Sequence, residues 1–306
     1  MPSSPIPPSR TDVASPPVFR FAPSPNGELH LGHARSALLN QRLAREAGGR
    51  FLLRIEDIDL ARCTPEFEAG IYRDLEWLKI EWEKPVRRQS EHFVDYAAAL
   101  ERLKAMGVVY PSFMSRGQIR DHIAEHETPS RRWPRDPDGA PLYPHVDRAL
   151  TRRERQKRIA SGAPHAWRLD VAAAMETAAE KLTWTELGAG PLGETGKVTA
   201  RPEIWGDVIL SRSDAPASYH LSVTVDDAIQ GITDVVRGQD LFHATAIHRL
   251  LQSLLGLPVP RYRHHSLIVG EDGRKLAKSR RDTGLRALRE SGMSAKEVRA
   301  LALEGL

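Results

Sequence analysis

The chain is poor in cysteine: Cys63 stands alone among 306 residues, which excludes an internal disulfide framework and any zinc site built from several thiolates. Long apolar runs are also missing. None approaches the ~20 residues that cross a bilayer. The opening residues, rich in Pro and Ser, lack the apolar segment of a secretory signal. The sequence therefore predicts a cytoplasmic protein with no membrane partner and a disordered leader over residues 1–17. No repeat of solenoid length is present. Neither charge dominates: 44 Lys and Arg against 40 Asp and Glu leave a net +4, which permits a nucleic-acid partner without establishing one.

What is present patterns as α/β. Val18-Phe19-Arg20-Phe21-Ala22 reads as a short strand, followed by a Pro/Gly loop. Leu31, Ala34, Leu38, Leu39 and Leu43 recur at helical spacing until Gly48-Gly49 stops them. Phe51-Leu52-Leu53-Arg54-Ile55 then reads as a buried strand, completing a βαβ unit and arguing for a parallel sheet. Thr64-Pro65 has the form of a helix start, with Thr64 as N-cap. Helical stretches follow at about 65–78 and 90–106. From Tyr110 to about Ala200 the chain turns proline-rich and carries the basic run Arg152, Arg153, Arg155, Lys157 and Arg158. This span reads as an insertion with its own small fold. The expected organisation is a first half of a Rossmann-like catalytic domain over 18–109, an insertion over 110–200, a second catalytic half over 201–279 and a short helical tail over 280–306.

Two segments carry the chemistry. In Pro23-Ser24-Pro25-Asn26-Gly27-Glu28-Leu29-His30-Leu31-Gly32-His33, two histidines flank the start of the first helix. A helix N-terminus offers unpaired N–H groups and a positive dipole end, which suit a phosphate chain. Imidazole N–H donors would add to this where charge grows, and Gly32 would let a flat adenine ring approach the backbone. Two histidines capping a helix are the plainer reading of the same spacing. In Lys275-Leu276-Ala277-Lys278-Ser279, two lysines sit in a loop after an apolar run, where ammonium groups can neutralise a leaving pyrophosphate.

Taken together these segments resemble the HIGH and KMSKS elements of the class I aminoacyl-tRNA synthetases. Arg20-Phe21-Ala22-Pro23-Ser24-Pro25-Asn26-Gly27, Arg54-Ile55-Glu56-Asp57-Ile58-Asp59, Tyr219-His220-Leu221 with Val225-Asp226-Asp227, and Gly231 to Gly238 resemble the glutamyl branch. The resemblance implies that His30, Gly32, His33, Lys275 and Lys278 bind ATP, with His30, His33 and Lys278 catalytic. Asp240 would touch the ribose, although a helix N-cap is an equally ordinary role for it. It further implies that Arg20, Ser24, Glu56, Tyr219 and Arg237 hold L-glutamate. Two carboxylates suit the donor forks of the arginines, and the α-ammonium needs an anion such as Glu56.

Conventional members of the branch continue into a helical anticodon-reading domain; residues 280–306 follow the KLAKS segment here, and the expectation is a chain without that domain. The chain resembles instead the truncated glutamyl-Q tRNA(Asp) synthetases, and Val223 stands where conventional enzymes tend to have Asn. That likeness implies ATP-dependent formation of glutamyl-adenylate, with Mg²⁺ on the phosphates, and transfer of glutamate to the queuosine of tRNA(Asp). The alternatives are a truncated enzyme charging a tRNA 3′ end and a non-catalytic glutamate or adenylate sensor. Many of the truncated enzymes hold zinc through a Cys-x-Cys pair and a Tyr-x-x-x-Cys. Here the matching stretches are Tyr110 to Met114 and Tyr143-Pro144-His145-Val146-Asp147, without cysteine. His122, His126 and His145 have no zinc spacing, so no structural zinc is expected. The basic run and Arg280-Arg281 are candidate tRNA contacts, though charge runs are commonly solvated helix faces.

Overall fold

A computed structural model describes residues 15–178, 180–212, 215–268 and 284–305; Lys275, Lys278, Arg280 and Arg281 lie outside the described residues. Strand β1 (Val18–Phe21) leads into α1 (Leu31–Glu46), and β2 (Arg50–Ile55) returns parallel to β1 with Phe19 opposite Phe51. The return is tight. A side chain on Gly49 would meet the Pro17 carbonyl at 2.4 Å, and Gly48 has a φ of 59°. Next, α2 (Pro65–Trp77) starts as its sequence specifies, with Thr64 accepting from the Phe67 N–H and Pro65 in the first turn.

The chain continues through β3 (Glu83–Arg88), α3 (Phe93–Ala105), β4 (Val109–Ser112), α4 (Arg116–His126), α5 (Arg152–Ala160), β5 (Ala166–Leu169) and α6 (Val171–Ala178). Then come β6 (Thr183–Glu186), β7 (Gly196–Thr199), β8 (Ile209–Arg212), α7 (Tyr219–Ile229), β9 (Asp234–Gly238) and α8 (Ala244–Leu255). The last described elements are β10 (Arg261–His265), α9 (Leu285–Glu290) and α10 (Ala295–Leu303). Among the described residues no helix is long and apolar enough to cross a membrane.

A seven-stranded sheet runs β3-β2-β1-β9-β10-β6-β7, parallel throughout except for the edge strand β7. Alternate side chains of its strands enter two separate cores. Val18, Leu52 and Val235 join the cluster built with α3, α7 and α8, whereas Phe19, Leu53 and Val236 join the one built with α1, α2 and α10. Buried Arg35 pins the tail to α1, donating from Nε to the Ala302 carbonyl at 2.8 Å.

A second, antiparallel sheet has the order β4-β5-β8. Sheet membership departs from the 110–200 boundary in two places. Strands β6 and β7, within that span, join the large sheet, and β8, beyond it, completes the small one. Proline content marks where the chain leaves the sheet, but strand partners are set by register across the molecule.

Buried carboxylates organise the small sheet. Asp207 accepts from Tyr110 Oη at 2.6 Å, Arg148 Nη2 at 2.7 Å and the Val171 N–H at 3.1 Å, and pairs with His145 Nδ1 at 2.8 Å. Asp147, where the zinc-bearing pattern has its last cysteine, accepts from the Phe113 N–H at 2.8 Å and from the Tyr143 hydroxyl. Arg168 lies 3.9 Å from the Tyr143 ring, and Arg158 faces Asp147. This donor set does not fit zinc. The tyrosine donates its proton, the carboxylate lone pairs are engaged, and arginines occupy the surroundings. The other histidines have ordinary roles: His122 and His126 stack on each other, and His126 Nδ1 donates to the His122 carbonyl. We expect Asp207→Asn to lower unfolding stability by about 2 kcal/mol, by removing the buried charge that Tyr110, Arg148 and His145 share. Dialysis against a chelator should leave the thermal midpoint of the parent chain unchanged; both are read by denaturation monitored by circular dichroism.

Candidate active site

Where β1 and β9 lie side by side and the strand order reverses, the sheet opens into a cleft of about 660 Å³. It gathers Arg20, Ser24, His30, Gly32, His33, Glu56, Tyr219, Arg237 and Asp240 from positions up to 220 residues apart in sequence. Strand ends deliver Arg20, Glu56 and Arg237, helix starts deliver His30 and Tyr219, and the loop after β1 delivers Ser24. Lys275 and Lys278 lie outside the described residues. Leu267 and Ile268 line the cleft, and Gly284 bridges to His30.

The two histidines do cap α1. His30 Nδ1 accepts from the Gly32 N–H at 3.1 Å, and the His30 N–H donates to His33 Nδ1 at 3.1 Å. A main-chain N–H can only donate, so each Nδ1 holds a lone pair and the neutral rings carry their protons on Nε2. The cap thus orients two ring donors beside the positive end of a helix, and capping and anion binding are compatible roles for the same residues. Gly32 has a nearer purpose than clearing space for adenine: a side chain there would stand 3.0 Å from His30 Cε1. A side chain on Gly238 would likewise meet Asp240 Oδ1 at 2.4 Å.

On the opposite wall, Asp227 of α7 holds two arginines. Arg20 donates to it through Nε at 3.1 Å and Nη2 at 3.4 Å, and fully buried Arg54 donates through Nη1 at 2.8 Å. Burial pushes the Asp227 carboxyl up, but Arg20 and Arg54 outweigh it and hold it below the usual carboxylate range. Arg54 also donates to Glu56 at 3.0 Å. Burial nevertheless wins at Glu56 and raises its carboxyl above the usual range.

Arg237 is different. Its Nε donates to His264 Nε2 at 3.1 Å, and Nη2 to the Leu241 carbonyl at 3.1 Å and Thr245 Oγ1 at 2.8 Å. Its Nη1 makes only long contacts, 3.3 Å to the Tyr219 hydroxyl and 3.4 Å to His248 Nδ1. Among the described residues no carboxylate pairs with it, although it is 5% exposed. Arg20 is therefore already neutralised, whereas Arg237 is a cation awaiting an anion, with Nη1 the donor most readily released. Histidines close the space behind it. Burial, aided by the Arg237 charge, pushes His220 down to about 4.

Asp227 lay within a sequence match but was given no role, and His248, His264 and Glu186 were not singled out. A second cavity of about 570 Å³ was not foreseen either. It shares Ser24, Glu56 and Tyr219 with the first, and is otherwise lined by residues including Arg168, Trp205, Asp207 and His220. Of the basic run on α5, Arg155 turns inward to the carbonyls of Asp147 and Arg148, and Arg152, Arg153 and Lys157 remain exposed.

Residues 18–300 match the tRNA synthetases class I (E and Q), catalytic domain, and the chain belongs to this family of ligases. Within it, the chain is 46% identical over 288 residues to a Rhodobacter capsulatus protein named glutamyl-Q tRNA(Asp) synthetase, covering 93% of this chain and 99% of that one. A Symbiobacterium thermophilum protein of the same name is 39% identical over 288 residues, covering 91% of this chain and 83% of that one. Among solved structures, a glutamate tRNA ligase from Elizabethkingia meningosepticum in complex with its amino acid superposes with a TM-score of 0.71 at 26% identity. It covers 91% of this chain, which matches 54% of the ligase.

Replacing Asp227 should be costly. Asp227→Asn leaves Arg20 and Arg54 undercompensated, and we expect a loss of about 3 kcal/mol at neutral pH. Because the folded carboxyl is held low, its contribution is complete above the unfolded value and is lost as pH falls through the folded one. The gap between parent and variant in urea titrations should therefore narrow toward strongly acidic pH.

Proposed function

We propose that this chain activates L-glutamate with ATP to form glutamyl-adenylate, and then transfers the glutamyl group to the queuosine of tRNA(Asp). The observation that carries the reading is a single cleft lined by a helix N-terminus with two oriented imidazole donors, by a guanidinium that no carboxylate pairs with among the described residues, and by the Glu56 carboxylate. Relatives named for this reaction match nearly the whole chain.

In this reading ATP enters as its Mg²⁺ complex, with its phosphates toward the start of α1 and its ribose near Asp240. Arg237 takes a substrate carboxylate, exchanging its long Nη1 contacts for a charge-assisted pair. Glu56 accepts the α-ammonium, and Ser24 and Tyr219 complete the hydrogen bonds. Arg20, already paired with Asp227, contributes its remaining N–H donors. An α-carboxylate oxygen attacks the α-phosphorus in line. A P–O bond forms, the bond to the bridging oxygen breaks, and pyrophosphate leaves. The Nε2–H groups of His30 and His33, with Lys275 and Lys278, stabilise the charge that develops. A hydroxyl of the cyclopentenediol then attacks the acyl carbon and AMP departs. The second cavity, open to the shared wall of Ser24, Glu56 and Tyr219, is where that nucleoside would enter.

Transfer of labelled glutamate to tRNA(Asp) carrying queuosine, beside the same tRNA with guanosine, tests the acceptor. Label on the queuosine-bearing tRNA alone is expected, whereas alkali-labile label at the 3′ end of either tRNA would favour the charging enzyme. Lys278→Ala should keep glutamate binding but lower glutamate-dependent pyrophosphate exchange by orders of magnitude, an outcome a non-catalytic sensor would not give. Because Glu56 binds an ammonium only when ionised, and burial raises its carboxyl, KM for glutamate should climb as pH falls while still above the usual carboxylate range. The same titration of Glu56→Gln should lose that climb and keep only the one belonging to the substrate's own carboxylates.

A further inference from the structure

Glu186, the last residue of β6, is 1% exposed and belongs to no motif that the sequence singles out. Its carboxylate accepts from His264 Nδ1 at 2.6 Å, the His264 N–H at 2.8 Å, the Gly188 N–H at 2.9 Å and Trp184 Nε1 at 3.3 Å. Beyond the imidazole stands Arg237, whose Nε donates to His264 Nε2. A guanidinium has no lone pair to offer, so Nε2 must accept and the ring proton must sit on Nδ1, pointed at Glu186. The geometry points to Glu186 as a positioning residue that acts through His264 to orient Arg237 for the substrate carboxylate. This rests on the reading that Arg237 receives that carboxylate.

The interposed imidazole explains why the arrangement differs from that of Arg20. A carboxylate in direct contact, as Asp227 is with Arg20 and Arg54, fixes an arginine and neutralises it together. An imidazole between the two fixes the Nε edge but leaves the positive charge for the ligand. The ring is itself well held. Tyr262 stacks parallel to it at 6.1 Å, Phe242 meets it edge-on at 5.1 Å, and a side chain on Gly188 would stand 2.2 Å from the His264 carbonyl. Burial pushes His264 down to about 4 against the pull of Glu186, and the pair places the negative charge on the carboxylate. The ring therefore remains a neutral relay at physiological pH.

Glutamate-dependent pyrophosphate exchange by Glu186→Gln, Glu186→Asp and Arg237→Ala tests the assignment. Glu186→Gln is expected to raise KM for glutamate about tenfold, with KM for ATP unchanged and kcat largely kept, and Glu186→Asp to recover part of the loss. A Glu186→Gln enzyme with an unaltered KM for glutamate, beside an Arg237→Ala enzyme whose KM rises, would overturn the positioning role and leave the pocket reading intact. An equal rise in both KM values would also overturn it, by marking Glu186 as structural. An Arg237→Ala enzyme with unaltered KM for glutamate would remove the pocket reading itself. Should Glu186→Gln fail to fold, Glu186→Asp decides alone, since it keeps the charge but withdraws the carboxylate by one methylene. A severalfold rise in KM for glutamate supports the role, and no change overturns it.

Discussion

A single carboxylate, Asp227, ties the first turns of the sheet to the helix that covers it. It takes Arg20 from β1 and Arg54 from β2, so two neighbouring strand ends and α7 share one buried anchor. Two guanidiniums so close would repel without it, and the same two, Arg54 and Arg20, are what oppose the burial of Glu56. The cleft exists where it does because this anchor holds β1, β2 and α7 at fixed separation. Tyr219, at the start of α7, is carried to the cleft by the same constraint.

Three arginines meet around this cleft with different electrostatic assignments. Arg54 is wholly internal and structural, and Arg20 is internal but borders the cleft. Arg237 is oriented by neutral groups and keeps its charge available. Residue type alone does not separate them. What differs is whether the nearest partner is an anion or an imidazole, a difference decided by α7 in one case and β10 in the other.

How much could be read beforehand followed from range in sequence. The N-terminal βαβ unit, the Thr64 cap and the histidine pair are local patterns, and the structure reproduces them within a residue or two. The motif matches brought nine candidate residues to one cleft. The small sheet was less legible. Its third strand, Ile209–Arg212, comes from across the chain, and its organising carboxylates Asp147 and Asp207 carry no local signal. Strand β10 was hidden for another reason. Its sequence, Arg261–His265, has almost no apolar content, because the site behind it needs His264 and His265 where a strand would ordinarily place aliphatics. Glu186 was obscured twice, by lying in a stretch read as insertion and by contacting Arg237 only through another residue.

The wall common to the two cavities consists of Ser24, Glu56 and Tyr219, and it limits how such a molecule can diverge. A residue that borders one cavity alone can drift to suit a new occupant there, as exposed Ala140 can on the far side. The three shared residues have no such freedom. Any replacement is felt on both sides at once, so adaptation to a new occupant of either cavity must be found in the outer lining. Descendants of this chain with altered preferences should therefore differ around the periphery of the second cavity and agree at its partition.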